Sequence, residues 1–470
     1  MSKTKELAKN TAILTIGKIC TQFISFFLLP LYTSLLTPDE YGIADLFNTY
    51  ASLLLPIIGL QLENGLFRFL IDVRNDKNGQ KIVFSTVFMM NLLQIFVYLV
   101  FFLVIQSFLK FQYKYYLLIS VSLSVITNSF FQFARGIGNN FIYALGSFIS
   151  AISTIVANII LIFIMRLGIF GLLCATIIGQ LITVIFLFCF LHVWNYISFL
   201  KFDKNILHSI MRYSIPLVPN TLSWWVLGAS DRIVLSHFIS TTINGLFAVA
   251  SKFSNVFSSF YNIFNMSWTE SVSLHMNDDD RDVFLSEVIN TMFNVFISMC
   301  ICIIAVMPFV FPIMVNEEYK EAYFQIPILM FGVMFQIIVG LYSVIYIALK
   351  KTGEIAKTSM VIAGLNLFID IGCVKFIGIY AASISTFFSF GIMAIYRYFH
   401  VKKYVNVVLR KKNIYISLVI SIIVTIFYYF QLKLINIIVL LLSLIYSVFI
   451  NFNFIKLLFG KIKARIKTYR

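Results

Sequence analysis

Long apolar runs separated by short polar breaks fill the chain from about residue 10 to residue 455. Fourteen runs stand out, at about 10–36, 43–63, 82–108, 116–133, 141–165, 168–191, 213–238, 245–264, 288–315, 323–349, 358–374, 379–396, 414–430 and 434–455. Each is close to the ~20 residues a helix needs to cross the hydrocarbon layer, and each exceeds the ~9–11 of a barrel strand. No strict strand-period alternation is sustained. The pattern predicts an all-α integral membrane protein with about 14 transmembrane helices.

Composition agrees with this reading. Charged residues are only 12% of the 470 positions while hydrophobic ones are 60%, against a charged share of ~25% in soluble domains. So few charges could not cover a soluble surface. A soluble enzyme, a nucleic-acid binder and a secreted disulfide scaffold are therefore excluded. The formal net charge of +16 would suggest nucleic acid in a soluble chain, but here the cations sit between and after the apolar runs. Numbering the runs in order, one set of loops holds only Lys110, Lys114, Arg166, Lys320, Lys375 and Lys433, and Lys18, Arg232 and Lys252 lie inside runs. All other lysines and arginines fall in the opposite set, which includes both termini; Arg397 is counted there, in the connection 397–413. The positive-inside rule then places both termini in the cytoplasm. The beginning, Met1-Ser2-Lys3-Thr4-Lys5 followed by a long apolar run, lacks an Ala-x-Ala site and reads as an uncleaved first span.

The predicted outside loops are short, which leaves no extracytoplasmic domain to hold an acceptor for glycan polymerisation. No G-x-x-x-x-G-K-[ST] loop and no H-E-x-x-H motif occurs. The five histidines are scattered, so neither a metal, a cofactor nor a catalytic group is expected. All six cysteines fall inside apolar runs and read as small packing residues. Asp278, Asp279, Asp280 and Asp282 lack the calcium-loop spacing and glycine, and read as a solvated turn. Thr37-Pro38-Asp39-Glu40 has the grammar of a capping box rather than of a catalytic carboxylate pair: Thr at the cap, Pro at the first helical position, Glu three residues after the cap.

Shifting the chain against itself by 203 residues lays Thr33–Gly42 on Ser236–Gly245, each closing one run and opening the next with glycine. The offset equals six runs. It suggests two parallel halves related by an axis along the membrane normal, with substrate between them. The expected organisation is an N-lobe at 1–191, an amphipathic cytoplasmic linker at 192–212, a C-lobe at 213–400, and two further spans with a basic tail at 401–470.

Two stretches resemble a known family. Asn10-Thr11, Gly17-Lys18, Leu29-Pro30-Leu31-Tyr32 and Leu36-Thr37-Pro38-Asp39-Glu40-Tyr41-Gly42 look like the opening of bacterial polysaccharide and O-antigen flippases. Ile215-Pro216, Ser230-Asp231-Arg232 and Gly245-Leu246-Phe247-Ala248-Val249-Ala250-Ser251-Lys252 resemble the mid-chain signature of the same family. These flippases belong to the multidrug/oligosaccharidyl-lipid/polysaccharide exporter superfamily. The resemblance implies a two-lobed, alternating-access transporter in the bacterial inner membrane. Its cargo would be an undecaprenyl-diphosphate-linked oligosaccharide, driven by a coupling ion, H+ or Na+, with glycan polymerases and transferases as further partners. Three alternatives stay open: a lipid-II-type flippase, a multidrug antiporter of the same superfamily, and a multispan glycosyltransferase or polymerase.

Ionisable side chains inside spans cost roughly 2.5–3.5 kcal/mol each on insertion scales and are functional candidates for that reason. They are Lys18, Asp45, Glu63, Asp231, Arg232, Lys252 and Asp370. Lys18, Arg232 and Lys252 could form a cationic cavity for a diphosphate, with Trp224 and Trp225 stacking on sugar rings. Against this, Asp231 could simply neutralise Arg232 or Lys252, and the tryptophans could serve packing. Asp45, Asp231 and Asp370 are candidates for gating or ion coupling; Asp45 could face Lys18 or the water boundary, and Asp370, one turn after Asn366, could instead make an interhelical contact. Pro30, Pro56, Pro308 and Pro312 fall inside runs and predict kinks.

Overall fold

A computed structural model of the chain describes residues 26–108 and 111–456. The chain divides into two compact units, Met1–Gly245 and Leu246–Arg470. In the first unit the helices are α1 (Leu29–Leu35), α2 (Pro38–Gly59), α3 (Leu62–Asp72), α4 (Lys77–Ile105), α5 (Lys114–Gly136), α6 (Asn140–Asn158), α7 (Gly168–Phe190), α8 (Lys204–Ser214) and α9 (Leu217–Phe238). A long helix, α10 (Thr241–His275), opens in the first unit and continues in the second. The second unit then holds α11 (Arg281–Met314), α12 (Ile326–Ala348), α13 (Thr352–Ile377), α14 (Tyr380–Val401), α15 (Lys411–Phe430) and α16 (Lys433–Ile450).

Local grammar starts and stops these helices. The Thr37 hydroxyl accepts from the Glu40 backbone N–H while the Glu40 carboxylate accepts from the Thr37 backbone N–H, the capping box expected from the sequence. Asp76, Asn139 and Asp203 cap α4, α6 and α8 in the same manner with a side-chain oxygen. Pro56 lies inside α2, and the helix breaks four residues later where Leu60 and Gln61 both take positive φ. Past Asn158, α6 runs into one π-helical stretch at Ile159–Ile164.

Burial in α4 is inverted relative to a soluble helix. Its polar Gln80, Ser85, Thr86, Asn91 and Gln94 are buried, whereas Leu93, Phe96 and Val97 are more than half exposed. Asn91 donates to Ser129 Oγ of α5 at 2.6 Å, and Gln94 to the Gly59 carbonyl at 3.3 Å. Polar contacts between helices with apolar faces turned outward are what a hydrocarbon solvent selects. Ten helical segments among the described residues are long and apolar enough to cross a membrane. Those segments are α2, α4, α5, α6 with its π-helical extension, α7, α11, α12 with the turn before it, α13, α15 and α16. At 22 residues, α9 and α14 also have the length of a span, as does α10 at 35, but all three carry more polar positions. The run expected at 10–36 lies mostly outside the described residues. The chain is a multi-pass membrane protein.

Within the first unit, Leu62, Leu66 and Leu70 of α3 pack with Phe84 of α4, Phe133 of α5 and Leu187 of α7. The stretch 192–212 joins this core: Ile210 of α8 is fully buried in it, and Ile206 and Met211 flank it. In the second unit, Tyr323 stacks on Tyr428 at 4.1 Å between ring centres, which ties the turn before α12 to α15. Five cysteines, Cys174, Cys189, Cys300, Cys302 and Cys373, are free thiols.

Candidate functional site

One face of α2, built from positions 39, 42, 45, 49 and 52 at helical spacing, gathers polar contacts from two other segments. Along α9, Trp225 donates its indole N–H to Ser52 Oγ at 3.0 Å and to the Thr49 carbonyl at 3.3 Å. Two turns further, Arg232 Nε lies 2.8 Å from Asp45 Oδ2, and Arg232 Nη1 donates to the Gly228 carbonyl at 2.8 Å. Numbers rise along one helix as they fall along the other, so α2 and α9 run antiparallel. The ion pair is largely withdrawn from solvent, with side-chain exposures of 14% for Arg232 and 18% for Asp45.

The opening of α10 completes the face. Asp39 accepts from Thr241 Oγ1, Asn244 Nδ2 donates to the Gly42 carbonyl at 2.9 Å, and the same amide reaches Asp45 Oδ2 at 3.5 Å. Backbones meet at two glycines. A methyl placed on Gly42 would collide with the Thr241 carbonyl oxygen and lie 2.8 Å from Gly245 N. One placed on Gly245 would collide with the Pro38 carbonyl oxygen and lie 3.1 Å from Gly42 N. Under the 203-residue offset Pro38 corresponds to Thr241 and Gly42 to Gly245. The contact exchanges the two members of each aligned pair, as a local two-fold axis would.

The other candidates are dispersed. Lys18 lies outside the described residues. Asp231 is buried in α9 beside Ser230, and Trp224 is half-buried. Lys252 is half-buried on the part of α10 that belongs to the second unit. Asp370 and Asn366 are both fully buried on α13. Glu63 stands in the first turn of α3, just past the break at Leu60 and Gln61. Among the described residues no group of three or more His, Cys, Asp or Glu is arranged to hold a metal.

Arg397 corrects the sequence reading, which placed it at the edge of a cytoplasmic loop. Because α14 continues to Val401, Arg397 lies within the helix, and it is completely buried. Its guanidinium donates to the Val339 carbonyl (3.3 Å) and Ser343 Oγ of α12, and to Thr358 Oγ1 (3.0 Å) and Ser359 Oγ (3.4 Å) of α13. Neutral oxygens therefore cradle the charge. No local signal marks this in the sequence, since the hydroxyls come from two other helices and Thr358 and Ser359 sit together beside Lys357.

An apolar cavity of about 710 Å³ opens in the second unit between α11, α12, α14 and α15, lined by residues such as Phe293, Met334, Tyr398 and Ile422. It offers an aliphatic chain contact and gives a charged group almost none.

Solved structures with the same fold include the inward-facing conformation of a multidrug resistance MATE family transporter of the MOP superfamily. It has 15% sequence identity and a TM-score of 0.67, covering 81% of this chain and 94% of that one. An outward-facing conformation of such a transporter gives 16% identity, a TM-score of 0.58, and coverage of 84% and 95%. A MATE in complex with MaL6 gives 14%, 0.60, and 84% and 95%. No match was found among curated proteins. The profile of a family described as polysaccharide biosynthesis protein matches residues 7–269, more than half of the chain and the whole of the α2–α9–α10 face. The chain belongs to the polysaccharide biosynthesis protein family and carries the all-helical fold of the MATE transporters.

Proposed function

We propose that this protein is a transporter that moves undecaprenyl-diphosphate-linked oligosaccharide from the inner to the outer leaflet of the bacterial inner membrane. Both termini lie in the cytoplasm on this reading, as the loop cations indicate, and an H+ or Na+ gradient drives alternating access. Membership of a polysaccharide biosynthesis family, on a fold found in transporters, is the observation that carries it.

The α2–α9–α10 face suits that role. Guanidinium groups grip phosphate through paired donors, and Arg232 is paired with Asp45 on this face. A diphosphate entering there competes with Asp45 for Arg232, which couples substrate arrival to the packing of α2 on α9. Lys18 and Lys252 remain proposed cationic groups for the diphosphate, and Trp224 is proposed to offer a ring face to sugars. Asp45, Asp231 and Asp370 remain the proposed gating and coupling carboxylates. A multidrug antiporter is the second reading, since the transporters of like fold are described as multidrug resistance proteins. A glycosyltransferase using Asp39 and Glu40 is disfavoured, because Glu40 closes the cap of α2 and Asp39 is bonded to Thr241.

The test uses ATP-free proteoliposomes holding a fluorescent undecaprenyl-diphosphate oligosaccharide, with an impermeant glycosidase reporting leaflet exchange. Gradient-stimulated exposure of the inner-leaflet pool with an unaltered sugar chain is expected. Exposure should fall in Arg232→Gln and Lys252→Gln proteins that still insert into the membrane. Drug efflux without exchange would support the second reading, and elongated glycan without exchange would overturn both.

A further inference from the structure

A second site lies at the end of the membrane-spanning helices of the second unit. A polar cavity of about 270 Å³ sits where α15 begins and α16 ends, against α11. These two helices form a hairpin with Gln431 and Leu432 between them, so Arg410 at the cap of α15 and Asn451 just past α16 share one end of it. Both helices are apolar enough to span a membrane, and their common end therefore lies at the depth of lipid headgroups.

Three chemistries converge there. The Arg410 backbone N–H is fixed by Asn290 Oδ1 at 2.8 Å, while its guanidinium makes no ion pair with the described residues and lines the cavity. Asn451 is 8% exposed. Its Nδ2 donates to Ser298 Oγ at 2.8 Å and to the Ser447 carbonyl at 2.9 Å, but its buried Oδ1 accepts from no described residue. The amide is thereby fixed as part of the cavity's polar wall, with its oxygen closed off from the cavity itself. Phe449 and Phe454 supply an apolar wall. The exposed Lys411, Lys412 and Lys456 add positive charge at the same end. Two carboxylates, Asp282 and Glu287, line the adjoining groove with Arg410, and Asp282 is engaged by Arg281 at 2.9 Å and by the Asn406 backbone N–H.

We infer that this cavity binds the headgroup of an anionic phospholipid. Arg410 takes the phosphate, and Phe449 and Phe454 meet the first acyl carbons. The lysines discriminate against a zwitterionic lipid, because only a net negative headgroup gains from them. The site is separate from the α2–α9–α10 face, and its test does not depend on what the protein transports.

Purified protein in nanodiscs would be titrated with phosphatidylglycerol, phosphatidylethanolamine, phosphatidylcholine and phosphatidic acid, with bound lipid read by native mass spectrometry. Phosphatidylglycerol and phosphatidic acid should bind more tightly than the two zwitterionic lipids, and Arg410→Gln should weaken phosphatidylglycerol about tenfold, the loss of one charge-assisted contact. Lys357→Gln, at an exposed lysine on α13, should leave it unchanged. Thermal unfolding in lipid-free detergent checks that Arg410→Gln is folded; an unfolded variant would be replaced by Arg410→Lys, which keeps charge but loses the paired donors. Equal binding of all four lipids, or equal losses in the Arg410 and Lys357 variants, would each overturn the assignment.

Discussion

Gly42 and Gly245, 203 positions apart in the chain, each occupy the one place where the other's helix leaves no room for a side chain. Their neighbours Pro38 and Thr241 present the carbonyls that a methyl on either glycine would strike. Overpacking typically costs 1–3 kcal/mol, and here the obstacle is backbone, which cannot rotate away. Gly42→Ala and Gly245→Ala should each lower the thermal unfolding midpoint in detergent, and Gly42→Leu should abolish folded yield. Wild-type midpoints in both alanine variants would contradict the contact.

Arg232 and Asp45 should behave as a coupled pair. Removing one partner of a buried pair costs about 3–5 kcal/mol, more than replacing both, and the residual exposure of this pair puts its cost at the lower end. Asp45→Asn and Arg232→Gln should each destabilise the protein, while the double variant should lose less than their sum. A double-mutant cycle on unfolding midpoints reads this directly. Strict additivity would mean the two side chains do not interact.

At Arg397, substitution should hurt regardless of charge. Arg397→Leu removes the charge-assisted bonds that tie α14 to α12 and α13, each worth about 1.5–3 kcal/mol. Arg397→Lys keeps a cation but cannot reach α12 and α13 together through a planar fork. Both variants should therefore be strongly destabilised in thermal unfolding, with lysine the milder. A stable lysine variant would show that charge alone suffices.

The cap of α2 separates a structural from a chemical role. Glu40→Ala should cost about 0.5–2 kcal/mol, as loss of a cap does, and leave transport close to wild type at permissive temperature. Complete loss of activity in a folded Glu40→Ala protein would revive the catalytic reading of that carboxylate.

Much of this architecture was legible before folding was considered. Run length and charge scarcity set the helical, membrane-embedded class, because hydrocarbon admits no unpaired backbone. Thr37-Pro38-Asp39-Glu40 declared its cap because capping bonds join residues three apart and need no partner elsewhere. The 203-residue offset pointed to Gly42 and Gly245 before their contact was visible. Partnership was not legible. Nothing local marked Arg232, 187 positions away, as the ion-pair partner of Asp45.

Arg397 shows the same limit. In the sequence it is one more cation at the end of an apolar run, and solvation at a loop is the ordinary fate of such a residue. Only the packing of α12, α13 and α14 brings Val339, Ser343, Thr358 and Ser359 around it. Burial of a charge depends on which oxygens other helices deliver, and that is a property of three-dimensional packing rather than of local sequence. Sequence determined the helical, membrane-embedded class and the caps that start its helices; the tertiary structure decided which of their charges and hydroxyls meet, because those contacts join helices far apart in the chain.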